Sequence, residues 1–246
     1  MKLIILASGR GSRLGALTKK VPKCMVKLDN TPIIGYLIKS FQYFQDIAVV
    51  TGYRANRIKK ELGNKVKYIK NDNYRNTNMV HSLFCASKFI DQDVIVSYSD
   101  IIVHPKIFNM LKKEKGSVIP LNYKWLENWQ KRMSLSQINK DAEDVRVKKN
   151  EVVSIGQPIK NNKLPRMQFM GLIKLSHKDF WKLNNFFIQM QKPQIDFTSF
   201  LNEAIKCKII RLKYLKSKLF WTEIDTLNDL KAASKMIRSI KLIHNN

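Results

Sequence analysis

The first part of the chain alternates short apolar runs with stretches whose apolar residues recur at helical spacing. The opening run, Lys2–Ala7, leads into a loop of Gly, Ser and Arg, which predicts a buried strand that ends at a functional turn. Further strands are predicted at Asp46–Gly52, Lys65–Lys70, Asp93–Ser99 and Gly116–Leu121. Helices are predicted at Thr31–Phe44, Arg54–Leu62, Asn78–Ile90 and Pro105–Lys113. This alternation predicts an α/β fold with a doubly wound, mainly parallel sheet.

The pattern changes after Asn122, where polar and aromatic residues replace the regular alternation. Val145–Lys149 and Val152–Ile155 predict a hairpin that turns at Asn150-Glu151. The remaining predicted elements are strands at Phe169–Leu175, Lys208–Leu212 and Leu219–Ile224, and helices at His177–Met190, Phe197–Ala204 and Leu227–Ile243. We expect one domain over residues 1–246, with an insertion of antiparallel strands around residues 123–175 at one edge of the sheet.

The net charge of the chain does not alter the predicted fold, but it bears on which partners the protein could bind. The 246 residues carry a net charge of +26, but 44% are hydrophobic, which argues against disorder. A basic protein attracts anions, so nucleic acid, an anionic membrane and small phosphorylated substrates all remain open. No apolar run approaches a membrane span, and the three cysteines are scattered without a CxxC pair, so we expect a soluble, cytoplasmic protein.

The sharpest candidate for chemistry is the loop after the first strand. Gly9 and Gly11 allow the backbone to approach a ligand closely, while Arg13 and Lys23 can hold phosphate oxygens. The Rossmann pattern GxGxxG fails because residue 14 is Leu14, and the Gly-Lys dipeptide of a Walker loop is absent. The alternative interpretation is a tight turn with exposed cations.

This segment resembles the signature of sugar-phosphate and choline-phosphate nucleotidyltransferases, G-x-G-[ST]-R followed by T and P-K. The matching residues are Gly9, Gly11, Ser12, Arg13, Thr18, Pro22 and Lys23; Ser8 and Ala16 depart mildly from it. The resemblance implies a Rossmann-like nucleotidyltransferase fold, a nucleoside triphosphate donor and release of pyrophosphate. It assigns catalysis to Arg13 and Lys23. It assigns nucleotide binding to Leu6, Ala7, Ser8, Gly9, Gly11 and Ser12.

Later segments extend the resemblance. The stretch 74–83, with Asn78 and Ser82, resembles the segment that contacts the base in choline-phosphate cytidylyltransferases, and Ser99 before Asp100 is a further nucleotide-binding candidate. Asp100 and Asp225 each follow an apolar strand, where open α/β sheets bind ligands, and resemble the family's two magnesium carboxylates. Mg²⁺ prefers one or two carboxylates together with phosphate oxygens and water. Helix capping is the alternative role for each aspartate.

The inserted region carries a candidate acceptor pocket. Trp125, Trp129 and Arg132 would share one helix face, and an acidic cluster, Asp141 to Asp144, follows them. Aromatic rings and carboxylates suit an organic cation, and an arginine could hold a phosphonate. The alternative is a structural element with core tryptophans and solvated acids. A narrower resemblance, to phosphonate-pathway cytidylyltransferases that activate 2-aminoethylphosphonate or phosphoglutamine, implies acceptor-binding roles for Trp129, Arg132, Asp141, Glu143, Gln168, Asp196 and Glu223.

The resemblance therefore predicts a Mg²⁺-dependent cytidylyltransferase. It would transfer CMP from CTP to a small phosphonate or phosphate monoester, activating a head group for lipid or glycan modification. A sugar-1-phosphate nucleotidyltransferase is the competing enzyme, and a non-catalytic nucleic-acid-binding protein is the alternative from another class. We expect no nucleic-acid partner, because no RNP, KH or zinc-finger signature is present. The oligomeric state stays open, a homodimer included.

Overall fold

The computed structural model describes residues 1–41 and 44–244, with side chains described as far as residue 238. The strands are β1 (Lys2–Ala7), β2 (Lys27–Leu28), β3 (Thr31–Pro32), β4 (Ile47–Thr51), β5 (Lys67–Lys70), β6 (Val94–Tyr98), β7 (Ile101–Val103), β8 (Val118–Asn122), β9 (Glu143–Lys148), β10 (Glu151–Pro158), β11 (Gln168–Phe169), β12 (Leu172–Leu175), β13 (Lys213–Ser217) and β14 (Trp221–Glu223). The α-helices are α1 (Ile33–Ser40), α2 (Ala55–Leu62), α3 (Met79–Cys85), α4 (Lys106–Lys113), α5 (Trp125–Trp129), α6 (Leu135–Asp141), α7 (His177–Met190), α8 (Phe197–Lys206) and α9 (Leu227–His244).

The main sheet has the strand order β5-β4-β1-β6-β12-β8-β13-β10-β9, and β11 also pairs with β8. Strands β5, β4, β1 and β6 are parallel, and β13 is parallel to β8. The sequences of β1, β4 and β6 are nearly continuous apolar runs because helices cover both faces of this part of the sheet. The predicted class, a doubly wound, mainly parallel α/β fold, is confirmed.

The sequence suggested that the antiparallel strands lie at one edge of the sheet, but the structure does not place them all there. β12 is inserted between β6 and β8 and runs antiparallel to both. The predicted strand Phe169–Leu175 is divided into β11 and β12 at Gly171, whose φ of 69° favours glycine. A Cβ at Gly171 would lie 3.0 Å from Cδ2 of Tyr98, so the ring packs against this backbone break.

Two other boundaries differ from prediction. The hairpin turns at Lys149-Asn150, one residue earlier than expected, and Lys149 has a φ of 54°. The predicted strand Lys208–Leu212 is wrong, because α8 continues to Lys206 and the strand that pairs with β8 is β13. The apolar residues of this connection, Ile210 and Leu212, are buried without forming a ladder.

The long helices leave their apolar residues on the two faces of the sheet. On one face, α3, α7 and α8 pack their aromatic and aliphatic residues over β1, β6 and β12; α1, α2 and α4 cover the other. Of the predicted helix Thr31–Phe44, the structure has α1 at Ile33–Ser40, and residues 42 and 43 lie outside the described part. Within that part, no helix is long and apolar enough to cross a membrane.

A third, smaller core joins the end of the chain to its beginning. Ala233 and Ile237 of α9 pack with Leu14, Ile33 and Ile224. The last strand, β14, pairs antiparallel with β7 in a separate two-stranded sheet. This arrangement places the residues before α9 beside the loop that follows β1.

Candidate active site

The loop after β1 is held in a fixed conformation. Gly11 has a φ of 75°, and a Cβ there would lie 2.4 Å from the Cβ of Lys23, so the lysine stem occupies the space that glycine leaves. The Lys23 N–H donates to the carbonyl of Arg10 at 3.1 Å, and the buried Thr18 hydroxyl donates to that of Gly11 at 3.1 Å. The glycine and threonine of the predicted motif therefore position Lys23.

The small sheet formed by β7 and β14 brings two distant aspartates together. Asp100 lies just before β7 and Asp225 just after β14, and Glu223 pairs with Ile101. The N–H of Ile224 donates to the Asp100 carbonyl at 3.0 Å. Sequence analysis placed both aspartates at one edge of the main sheet but did not predict β7, the strand that joins them.

Lys23 bridges the two aspartates. Its Nζ donates to Oδ2 of Asp100 at 2.6 Å and also to Oδ1 of Asp225. Arg13 Nη2 donates to the same oxygen of Asp225 at 2.8 Å. Burial on its own lowers the pKa of Lys23, but the charges of the two aspartates outweigh it and raise that pKa. The loop cations and the strand-end carboxylates thus form one charged cluster.

Neither aspartate is a helix cap. Asp100 precedes a strand, and at the start of α9 it is Thr226 whose hydroxyl accepts the N–H of Asp229, at 3.3 Å. Burial acts to raise the pKa of Asp225, but the charge and hydrogen bond of Lys23 outweigh burial and lower it. Neither carboxylate is therefore used to cap a helix, and both already face cations, Lys23 in each case and also Arg13 at Asp225.

The donor set fits a magnesium ion that is partly held by substrate. Within the described residues, no group of three or more Asp, Glu, His or Cys side chains is arranged to hold a metal alone. Mg²⁺ needs fewer protein ligands when phosphate oxygens and water complete its shell. Oδ1 of Asp100 is buried and has no hydrogen-bond partner among the described residues, which leaves a carboxylate oxygen for such a ligand.

A cavity of about 230 Å³ opens beside this cluster. Six carboxylates line it, from Asp100, Asp141, Glu143, Asp196, Glu223 and Asp225. Arg13 is the one lysine or arginine among its described lining residues. The structure thus brings together the predicted acceptor residues Trp129, Asp141, Glu143, Gln168, Asp196 and Glu223.

Burial and mutual repulsion shape the protonation of these acids. Burial, reinforced by the charges of Asp225 and Asp100, raises the pKa of Glu223 well above its ordinary range. Burial is also the largest cause of the raised pKa of Glu143, which accepts a hydrogen bond from the Thr198 hydroxyl at 2.9 Å. Such crowded carboxylates favour a ligand that brings positive charge.

Aromatic residues form the rest of the cavity wall. Tyr98 meets Phe169 and Phe197 edge to face, with ring centroids 6.0 and 5.7 Å apart. Trp129 also lines the cavity, whereas Trp125 is buried behind it and stacks edge to face on Trp129. The core interpretation therefore holds for both tryptophans, since Trp129 is also buried in the core although it lines the cavity.

The predicted base-contacting residues lie next to the loop. The Asn78 carboxamide oxygen accepts the N–H of Met79 at 2.7 Å and begins α3. The hydroxyl of Ser82 is 2.7 Å from that of Ser8 and accepts from the Asn71 amide at 3.0 Å. Ser82 thereby fixes the loop to α3, while half-buried Ser99 lies between β6 and Asp100.

The structure places Arg132 away from the cavity lining. α5 ends at Trp129, so Arg132 does not continue its helix face. Its Nη1 donates to Oδ1 of Asp229 at 2.6 Å, and its guanidinium lies 4.7 Å from the Trp129 ring centroid. Oδ2 of Asp229 accepts the N–H groups of Asp225 and Thr226 at 2.9 and 2.7 Å. Sequence analysis missed Asp229, which supports both the carboxylate cluster and the cavity wall.

The fold, the cationic loop after β1 and the paired strand-end aspartates define a nucleotidyltransferase. Residues 3–117 match the family model of the MobA-like NTP transferase domain. The chain is 32% identical to CTP:phosphoglutamine cytidylyltransferase of Campylobacter jejuni over 94% of this chain and 98% of that protein. It therefore belongs to this cytidylyltransferase family of nucleotidyltransferases.

Two further similarities, one in sequence and one in structure, agree with this family assignment. Choline-phosphate cytidylyltransferase of Streptococcus pneumoniae is 31% identical over 39% of this chain and 43% of its own length. The inositol-1-phosphate CTP transferase of T. maritima has the same fold, with a TM-score of 0.76 and 20% identity over 96% of this chain and 95% of that one.

Proposed function

We propose that the protein transfers CMP from CTP to a small phosphonate or phosphate monoester that carries an amine, with Mg²⁺ bound at Asp100 and Asp225. The product is a CMP-linked head group suited to later transfer onto a lipid or glycan. The observation that carries the proposal is the cavity of six carboxylates placed directly beside Arg13 and Lys23. One end of this site suits phosphates and the other suits a cation.

The reaction needs positioning and charge neutralisation more than a base. An oxygen of the acceptor phosphonate or phosphate, already an anion at neutral pH, attacks the α-phosphorus of CTP. A new P–O bond forms, the bond from the α-phosphorus to the bridging oxygen breaks, and pyrophosphate leaves with that electron pair. No proton has to be removed from the nucleophile, so charge repulsion between two anions is the main barrier.

The chain's own cations address that barrier. Arg13 has an exposed guanidinium near the loop, and Lys23 presents its ammonium from a rigid stem packed on Gly11. Mg²⁺, when bound, would neutralise phosphate charge and polarise the α-phosphate. Asp100 and Asp225 would hold it, with the Asp100 oxygen that lacks a described partner as the clearest ligand.

The acceptor end is proposed from the carboxylates that lie away from this cluster. Asp141, Glu143 and Asp196 line the cavity together with Trp129 and Tyr98. An ammonium group there would meet both carboxylate oxygens and aromatic faces, each of which favours a cation. A neutral polyol phosphate or sugar phosphate would place no positive charge among these crowded carboxylates, of which Glu143 is half-buried and Asp141 and Asp196 are exposed, so the competing sugar-1-phosphate activity fits the cavity less well.

The proposal is tested by pyrophosphate release with CTP, ATP, GTP and dTTP, each paired with 2-aminoethylphosphonate, phosphocholine, ethylphosphonate and glucose 1-phosphate. We expect strong preference for CTP, since the stretch with Asn78 and Ser82 resembles the segment that contacts the base in choline-phosphate cytidylyltransferases. We also expect ethylphosphonate to be a poorer acceptor than 2-aminoethylphosphonate. Equal turnover with dTTP and the sugar phosphate would contradict the assignment.

A variant pair shows whether the acids recognise the amine. Glu143→Gln should raise the KM for 2-aminoethylphosphonate about tenfold, because a hydrogen bond to a charged group is worth about 1.5–3 kcal/mol and 1.4 kcal/mol is a factor of ten. It should change the KM for ethylphosphonate little, a non-additivity that marks direct contact. Asp144→Asn is the matched control, since Asp144 is the next residue but does not line this cavity. Equal KM increases for both acceptors would place the amine elsewhere.

A further inference from the structure

A second cavity lies along the edge of the sheet, behind the wall of the active site. It has a volume of about 620 Å³ and is bounded on one side by Asp144 to Val147 of β9 and on the other by the segment 160–167. β9 is the last strand of the sheet and pairs only with β10 within the described residues. Successive side chains of a strand point to opposite faces, so a cavity that touches four consecutive residues lies beside the strand's backbone.

The backbone of β9 has hydrogen-bonding groups on this side. The side-chain amide of Gln168 meets both the N–H and the C=O of Glu143, each at 3.2 Å. Hydrogen-bonding groups alternate in direction along a strand, so Val145 and Val147 present theirs to the same side as Glu143. Along this edge of β9, Gln168 therefore occupies the backbone groups of Glu143. The next two sets of outward-facing backbone groups, at Val145 and Val147, face the cavity.

The cavity is strongly basic. Lys160, Lys163 and Arg166 line it, are exposed, and form no ion pair within the described part of the chain. The one acid among its described lining residues, Asp144, is paired with Arg146 at 2.7 Å. Apolar lining residues, including Val145, Leu164 and Met167, alternate with these cations.

The basic character continues into a neighbouring cavity of about 650 Å³. The two cavities share Val147, Arg166 and Met167, and the second adds Lys216 and two tyrosines. Together they form a continuous depression, which we call the basic trough. The basic trough is separate from the active site, although Glu143 and Asp144 line the two sides of their common wall.

We propose that the basic trough binds an extended acidic segment of a partner protein, which adds to the sheet beside β9. Main-chain hydrogen bonds to Val145 and Val147 would hold the segment, as in other cases of β-strand addition. Its acidic side chains would meet Lys160, Lys163 and Arg166, and its alternate side chains would meet the apolar residues. This inference does not depend on the identity of the enzyme's acceptor.

The alternatives fit less well. A second copy of β9, paired antiparallel about Val147, would place Arg146 of each copy opposite Lys148 of the other, and like charges across a strand pair are destabilising. Single-stranded nucleic acid would stack its bases on aromatic faces, and the basic trough offers these only in its second cavity, at Tyr123 and Tyr214, and none beside the strand edge of β9. Charged residues also protect exposed strand edges from aggregation, so binding has to be shown directly.

The first test uses a labelled peptide of four Glu-Val repeats as the probe and fluorescence anisotropy as the measurement. The triple variant Lys160→Glu, Lys163→Glu, Arg166→Glu should weaken binding by about tenfold or more, since each 1.4 kcal/mol is a factor of ten. The matched control, Lys59→Glu, Lys60→Glu, Lys65→Glu, makes the same change in net charge on exposed residues elsewhere and should change binding little. Pyrophosphate release should remain normal in both variants. Equal weakening in the control would overturn the proposal.

The second test separates strand addition from simple charge attraction. Hydrogen exchange at Val145 and Val147 should slow when the peptide binds. N-methylation at alternate residues blocks the N–H groups along one edge of the peptide strand. Binding should be lost when the edge that faces β9 is blocked and kept when the opposite edge is blocked. A five-residue oligouridine, whose four phosphates match the four glutamates of the peptide, should bind more weakly and leave exchange in β9 unchanged. The proposal is wrong if both methylated peptides bind normally or if oligouridine binds more tightly.

Discussion

The buried pair of Arg132 and Asp229 offers a sharp test of how the active site is supported. Their side chains are 2% and 1% exposed, and Asp229 also accepts the backbone N–H groups of Asp225 and Thr226. Asp229→Asn keeps an oxygen for the backbone but removes the charge that faces Arg132. Nη2 of Arg132 already lacks a hydrogen-bond partner among the described residues, so the guanidinium has little other compensation.

The expected loss of stability for Asp229→Asn is large. Leaving one member of a buried ion pair uncompensated costs about 3–5 kcal/mol, which corresponds to a fall in Tm of about 6–20 °C for a chain of this size. Arg132→Met should cost a similar amount. The double variant Arg132→Met, Asp229→Asn should lose less than the sum of the two, because no buried charge is then left alone.

The assay combines thermal unfolding with a magnesium titration of pyrophosphate release, run well below each variant's Tm. If Asp229 positions Asp225, Asp229→Asn should raise the Mg²⁺ concentration for half-maximal rate, which a purely global loss of stability would not do. Glu127→Gln is the control, since its exposed pair with Lys124 should contribute only about 0–1 kcal/mol. A Tm for Asp229→Asn within about 2 °C of wild type would refute the reasoning.

Two further predictions follow from the charged cluster and the cavity. Asp100→Asn should lower magnesium-dependent turnover by about a hundredfold or more while leaving Tm within about 4 °C of wild type, and near-normal turnover would show that Asp100 is structural. Because burial, followed by the charges of Asp196 and Asp141, raises the pKa of Glu143, its carboxylate is neutralised earlier as pH falls. As pH falls towards this raised pKa, the KM for 2-aminoethylphosphonate should therefore rise more steeply in wild type than in Glu143→Gln, measured by steady-state kinetics, and parallel pH profiles would contradict this.

The parts of the fold that the sequence predicts well are those with an unambiguous pattern. β1, β4 and β6 are apolar runs covered on both faces, and their alternation with helices is enough to define the class. Strand direction is not encoded in hydropathy, so the antiparallel insertion of β12 was missed. The three-residue strand β7 is too short for a pattern, although it determines where Asp100 meets Asp225.

In the active site, too, the residues of a local motif could be predicted from the sequence, whereas residues that depend on distant partners could not. The loop could be predicted from a local motif, because Gly11 leaves the space that the side-chain stem of Lys23 occupies. Arg132 was misplaced because its partner, Asp229, is 97 residues away and looks like an ordinary acid in the first turn of a helix. Long-range polar pairs of this kind become visible only when the fold brings the two segments together.

The distribution of charge connects these features. Of the 19 acidic residues in a chain of net charge +26, six line one cavity, where burial, followed by the charges of neighbouring acids, raises the pKa values of Glu143, Asp141 and Glu223. Gathering like charges in a buried place is unfavourable to folding unless cations offset them, and Lys23 and Arg13 do so only at the end next to the loop. The remaining carboxylates retain unfavourable energy that a bound ammonium group can relieve, so a cationic acceptor should bind here more tightly than its neutral analogue. In the proposed reaction, the loop cations would hold the nucleotide polyphosphate and the acids would hold the ammonium group of the acceptor, so that the acceptor's phosphorus lies between them, next to the α-phosphate.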